Sequence, residues 1–209
     1  MMRKRNPVLP KKTILIVASD PALAVYFARV RKDCRYVSLS VECQSAETLE
    51  DLVKVTAKRR IAGKYASAWA VFSFKDFNLK ADDVKAVMPI AEAKKVKLGW
   101  VNPSLSMWLF LHTKPINAYV SNAASFDQAL AKVFPDFAET EEYMSNDGKD
   151  IHLRLFSLFS KAIINASEYN KICEKTTGLA ATSFPLLYED IKAICGEADL
   201  SHNQRLLSK

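Results

Sequence analysis

The sequence predicts an α/β fold: a parallel four-stranded sheet flanked by helices, followed by a helical C-terminal extension. Three observations predict it. Short, nearly continuous apolar runs alternate with segments of helical periodicity up to about residue 113, as strands covered on both faces require. Beyond His112 the alternation stops and helical patterns follow one another. The chain has 209 residues, 49% of them hydrophobic, which is enough for one substantial core.

Each element has a local reason. Residues 1–12, with two prolines and five basic residues, read as a flexible basic arm. Thr13–Ala18 is a β-branched apolar run stopped by Ser19-Asp20-Pro21, and "PALAVYFARVRK" then places Leu23, Tyr26, Phe27 and Val30 on one helical face. Tyr36–Val41 reads as the second strand. Ser45 is placed to cap a helix running to Arg60, with Leu49, Leu52, Val53 and Thr56 inward. Ala68–Phe74 is the third strand, Asp82 to about Lys95 the third helix, and Lys97–Val101 the fourth strand. In "NPSLSMWLFLH" Ser104 can cap a helix that is apolar nearly all round and hence buried. These elements, residues 13–113, form the core, and residues 114–209 are helices packed on it. Within them a connector at Lys114–Ala124 leads to a short helix capped by Ser125. An acidic loop spans Glu139–Asp150. A long helix spans Asp150–Lys175 with Leu153, Phe156, Ile163 and Ile164 inward, and after a break at Gly178 a last helix spans Pro185–Cys195.

No apolar run reaches membrane-spanning length, and no secretory pattern follows the basic start, so a cytoplasmic protein is expected. Four scattered cysteines and three distant histidines argue against a structural zinc site. Residues 1–114 carry 21 lysines and arginines against 10 acids, net +11, whereas residues 115–209 carry 9 against 13, net −4. That asymmetry points the first part toward an anionic partner, nucleic acid first, or toward a solvated lysine-rich surface. The phosphate-contact candidates are Arg29, Arg31, Lys32 and Arg35, and the cluster Lys58, Arg59, Arg60 and Lys64. Both clusters fall toward helix C-termini, where cations are favoured in any case.

Ligands of open parallel sheets sit outside the carboxyl ends of the strands. Three predicted strand ends carry polar residues: Ser19 and Asp20, then Ser73, Lys75 and Asp76, then Asn102, Ser104 and Ser106. His112 ends the buried helix and is either a general base or a structural histidine. Trp108 and Phe110 suit core packing better than base stacking, and Ser19-Asp20 is most simply a helix cap.

At these residues the chain resembles the RloB/AbiLii proteins. "ILIV" followed by "YF", "VF" before the loop at Ser73–Phe77, and above all "NPSLSMWLFLH" at Asn102–His112 carry the resemblance. Its matches are Phe72, Asp76, Phe77, Asn102, Pro103, Trp108, Leu111 and His112, with a weaker echo in "ATSFP" at Ala181–Pro185. The resemblance runs roughly from Thr13 to Cys195. It implies a Toprim-like fold, a link to bacterial phage defence, and a Mg²⁺ site built from a glutamate after the first strand and an aspartate pair after the third. In this chain the glutamate position falls on Ser19 and the aspartates on Ser73 and Lys75, and the family's glutamate in the fourth-strand motif falls on Ser106. Mg²⁺ requires hard anionic oxygens, and an ammonium in their place repels it. The expectation is therefore no metal and no cofactor, and a degenerate protein that binds DNA, RNA, an ATPase or another effector protein of a defence system. Two alternatives remain. One is a divergent Mg²⁺-dependent nuclease that uses Asp20, Asp76 and a further carboxylate such as Asp82 or Asp83. The other is a protein–protein adaptor without nucleic-acid affinity. Lys75 with Ser73 could also hold a phosphate.

Overall fold

The structure is a computed structural model in which residues 12–146 and 149–203 are described. Apart from Lys12, the expected basic arm lies outside them. Four parallel strands, β1 (Ile14–Ala18), β2 (Leu39–Cys43), β3 (Ser67–Ser73) and β4 (Lys97–Val101), form one sheet in the order β2-β1-β3-β4. Between them run α1 (Pro21–Asp33), α2 (Leu49–Ala62) and α3 (Ala81–Ala93). The C-terminal helices are α4 (Leu105–Thr113), α5 (Ala123–Ala131), α6 (Glu141–Ser145), α7 (Ile151–Phe156), α8 (Phe159–Thr177) and α9 (Phe184–Cys195). No helix among the described residues is long and apolar enough to cross a membrane.

Alternation along β1 divides the core in two. Ile14, Ile16 and Ala18 face a layer made by α1, α4, α8 and α9, while Leu15 and Val17 face α2 and α3. Burial on both faces explains why the strands read as unbroken apolar runs rather than alternating ones. Trp108, fully buried in α4, donates its indole N–H to Tyr26 Oη at 2.9 Å and packs edge-on against Phe184, so the expected core role is the one it has.

The outer edge of β4 is covered by Ala181–Ser183. Asn102 N donates to Ala181 O at 2.8 Å, Ser183 N donates to Trp100 O at 3.1 Å, and the Ser183 hydroxyl donates to Leu98 O at 2.9 Å. An edge strand sealed in this way offers little template for foreign strand pairing. The segment that the sequence marked as a late motif is thus the strap along the sheet edge.

Several boundaries differ from expectation. β2 begins at Leu39 because Arg35 and Tyr36 are taken up by the turn that ends α1. α2 is capped by Thr48, whose Oγ1 accepts from Asp51 N at 3.2 Å, not by Ser45. α5 is capped by Asn122 rather than Ser125. The acidic loop contains α6, capped by Thr140. The long helix is two helices broken at Ser157-Leu158, and the break shifts the helical phase so that Ile164 faces solvent at 65% exposure.

Candidate functional site

At the tip of β1, Asp20 accepts from Ala22 N at 2.8 Å and Leu23 N at 3.3 Å, and Pro21 fills a first-turn position that needs no N–H. Ser19 faces the other way. Its hydroxyl donates to Asp76 Oδ2 at 2.5 Å, and Ser73 N donates to the same oxygen at 2.8 Å. The order β2-β1-β3-β4 puts the topological switch point between β1 and β3, and this bridge closes the crevice there. Burial raises the Asp76 carboxyl above its usual range, Asp20 adds to the rise, and the two donors together with Lys75 oppose it.

Lys75 follows β3 in a single 3-10 turn (Phe74–Asp76), its N–H held by Pro103 O at 3.1 Å. Its ammonium lies 2.7 Å from Glu139 Oε1. Burial works against the charge on Lys75, but Glu139, with Asp76 and Asp20, outweighs it and raises the pKa. Glu139 itself is almost completely enclosed, with a side chain 3% exposed. It accepts from Leu105 N at 3.3 Å, Ser106 N at 2.7 Å and the Ser106 hydroxyl at 2.6 Å. One carboxylate therefore caps α4 and neutralises Lys75 at the same time. The Ser106 hydroxyl also lies 2.5 Å from Asp127 Oδ1, so its one hydrogen is shared between two carboxylates.

Ser104, expected to cap α4, makes no cap bond: its buried hydroxyl has no partner, and Glu139 does the capping instead. The Ser73 hydroxyl is likewise buried without a partner, which leaves it outside the pairing with Lys75 that sequence reasoning considered for a phosphate. Asp82 pairs with Lys85 at 3.1 Å and lines the cleft beside the tips, and Asp83 accepts from Lys80 N at 2.7 Å. That cleft is open, of about 460 Å³, and is lined also by Lys75, Asn78, Lys80, Asn102, Pro103 and Tyr119.

His112 lies at the far end of α4 from this cluster, roughly 10 Å along the helix axis. It is 2% exposed, and its Nδ1 donates to Trp108 O at 3.0 Å. Burial pushes its pKa down to about 4, overriding the helix-end preference for an imidazolium. It is a neutral core histidine.

The basic candidates divide. Arg29 is buried, its guanidinium held by Asp150 and by the Ser145 carbonyl, so it belongs to the interior and not to a phosphate-facing surface. Arg59 reaches Glu42 at 3.3 Å, and Arg35 reaches Asp199 at 3.0 Å. Arg31, Lys32, Lys58 and Lys64 are exposed, and Arg60 is half-buried. α1 and α2 run back from the tips, so their C-terminal cations gather at the opposite end of the sheet. Among the described residues, the acidic and histidine side chains close enough to share a metal ion are Asp33, Asp150 and His152, with ligand atoms within 4.8 Å of one another. There His152 Nδ1 is already 2.7 Å from Asp33, and Arg29 sits on Asp150.

Glu139 was not among the sequence candidates. Nothing local marks it, because its partners Lys75 and Ser106 are 64 and 33 positions away. No curated protein and no solved structure gives a significant match to this chain. The model of the family described as RloB-like protein matches residues 14–191. These residues include every strand and the whole tip cluster, and the chain belongs to the RloB-like family.

Proposed function

We propose that this protein is a catalytically degenerate, Toprim-like member of its family, a nucleic-acid- or partner-binding regulatory component of a bacterial phage-defence system. The observation that carries the reading is the ion pair between Lys75 and Glu139. By resemblance, Lys75 stands where a metal-binding aspartate is expected, and its ammonium is anchored by a carboxylate that also caps α4. Mg²⁺ takes hard anionic oxygens in near-octahedral geometry. The residues at the tips do not fit that requirement: Asp76 Oδ2 already accepts two hydrogen bonds, Asp20 Oδ1 caps α1, and Ser73 offers only a neutral hydroxyl. The tips work as a self-satisfied polar lock, and the retained scaffold serves recognition.

One observation favours a second reading. Glu139 brings a third carboxylate toward the strand tips. Asp20, Asp76 and Glu139 are not within sharing distance of one ion as they stand, so displacement of Lys75 together with a closing movement of the three would provide the acids of a metal-dependent nuclease. Calorimetric titration of Mg²⁺ and Mn²⁺, with cleavage of labelled DNA and RNA followed on the same sample, separates the two. The degenerate reading expects neither metal binding nor cleavage in the native protein, and metal binding regained in the Ser73→Asp/Lys75→Asp variant. Metal-dependent cleavage abolished by Asp76→Ala would establish the nuclease.

A further inference from the structure

The three helices between strands all end at the edge of the sheet opposite the tips, and all end in the same way. In α1, Tyr36 N donates to Arg31 O at 3.0 Å and Arg35 N to Lys32 O at 3.3 Å. In α2, Tyr65 N donates to Arg60 O at 3.0 Å and Lys64 N to Ile61 O at 3.2 Å. In α3, Val96 N donates to Ala91 O at 2.9 Å and Lys95 N to Glu92 O at 2.8 Å. This is the paired-bond helix ending whose turn residue adopts the left-handed conformation, and glycine is the residue that usually fills it. Here the turn residues are Arg35, Lys64 and Lys95, with φ of 54°, 53° and 55°. α8 ends at Gly178 with φ 74°, so the same chain uses glycine at another helix end.

In α1 and α2 helix electrostatics do not account for the choice, whereas the last turn of α3 holds Glu92 and no cation. The last turns of α1 and α2 already hold Arg31 and Lys32, and Arg59 and Arg60, where the helix end is best neutralised. A cation at a strained position beyond the helix adds little to the helix, but it adds charge to one end of the molecule. Lys12, Lys94 and Lys97 lie at the same end, at the approach to β1, the end of α3 and the start of β4. The acids at this end are Asp199, paired with Arg35, Asp190, paired with Lys97 at 3.0 Å, Glu92 in the last turn of α3, Glu189, which lines the same groove as Lys12, Lys95 and Lys97, and Glu197, paired with Lys192. Lys64 and Lys95 make no ion pair among the described residues.

We propose that this end of the sheet is a nucleic-acid backbone-binding surface, with Arg35, Lys64 and Lys95 as phosphate contacts. The arrangement fits a polyanion rather than a small anion. α2 and α3 pack on one face of the sheet, which sets Lys64 and Lys95 at a spacing on the order of the ~10 Å between packed helices, while Arg35 at the end of α1 lies across the sheet on the other face. Contacts of this kind read phosphates and not bases, so the binding is sequence-independent. The inference commits the partner half of the proposed function to nucleic acid and moves contact away from the tips. Because it needs no metal, its failure is separable from the failure of the tip reading.

The test is anisotropy of a labelled DNA duplex, of about 20 base pairs so that it outspans this end of the sheet, with the full chain in EDTA over a range of salt concentrations. The triple variant Arg35→Gly/Lys64→Gly/Lys95→Gly should unfold at an equal or higher urea concentration, since glycine relieves the left-handed positions. The same variant should lose about 0.9 from the slope of log affinity against log salt for each contact removed. A control that neutralises Lys132, Lys171 and Lys175 on the C-terminal helices should leave the slope close to that of the parent chain. Absence of salt-dependent binding in the parent, an unchanged slope in the triple variant, an equal loss in the control, or equal affinity for polyglutamate would each overturn the proposal.

Discussion

At the carboxyl ends of the strands, partly buried charges answer one another: Ser19 and Ser73 N–H serve Asp76, and the half-exposed Lys75 and the first turn of α4 serve the enclosed Glu139. At the amino ends, cations stand on the outside on three backbone positions that would be more relaxed as glycine; Arg35 pairs with Asp199, and Lys64 and Lys95 make no ion pair among the described residues. The contrast separates two ways in which a charged residue can be retained. A charge that completes a buried network is explained by folding alone, because removing one member strands the others. A charge that occupies a strained, exposed position lowers stability and needs a reason outside the fold. By this criterion the polar tips, where fold logic directs attention first, give the weaker signal of recognition, and the plain-looking helix ends give the stronger.

The largest expected effect lies on α4, which joins the two ends. The folded-state pKa of His112 is about 4 against an ordinary value of 6.5. Between these values the unfolded chain takes up a proton that the folded chain refuses, so stability falls as pH drops from 6.5 and levels off below about 4. The full loss is about 3 kcal/mol at 1.36 kcal/mol per unit. Burial raises the carboxyls of Asp76 and Asp150, which contribute in the opposite sense, so the histidine is isolated by difference. Urea denaturation across this range should show a shallower acid slope in His112→Gln than in the parent chain. Identical slopes would mean that the imidazole is not buried neutral.

Next in size is Glu139→Ala, which uncaps α4 and leaves Lys75 unpaired beside a buried tip. Lys75 is 39% exposed and can turn to water, so the cost is below that of a fully buried pair, about 2–3 kcal/mol. Adding Lys75→Met to Glu139→Gln should recover part of the loss in a double-mutant cycle, and strict additivity would break the description of the tips as one network. Ser19→Ala, which removes one of the two donors to Asp76 Oδ2, should cost about 1–2 kcal/mol by the same measurement.

Most of the architecture was legible because it rests on local pattern. The apolar runs gave all four strands, and β4 fell on Lys97–Val101 as expected. The boundaries that moved did so where a turn or cap competes over a few residues, as at Tyr36 and Thr48. The tips were half legible. Their location follows from parallel topology, and Ser19, Lys75 and Asp76 could be named from it. The partner that gives Lys75 its meaning could not, since only the path of the chain after α5 brings Glu139 back to the start of α4. The helix ends were legible as charge but not as strain. Nothing in "KDCRYV" or "AGKYAS" says that Arg35 or Lys64 is left-handed, and glycine at position 63 invites the opposite reading. In the structure Gly63 is right-handed, and a side chain there would collide with the Tyr65 ring at 2.2 Å.

The smallest effect tests the premise of the comparison itself. Gly178 ends α8 in the left-handed conformation that Arg35, Lys64 and Lys95 adopt without being glycine. Gly178→Ala places a side chain at φ 74°, and its new Cβ meets only the mobile end of Lys85, 2.7 Å from Nζ, which can swing away. The substitution therefore measures the conformational penalty with little steric addition, and it should cost about 1 kcal/mol in urea denaturation. If it costs nothing, left-handed helix ends are unstrained in this fold. The cations at the amino end of the sheet would then give up no stability, and their placement would carry no more information than any other lysine on the surface.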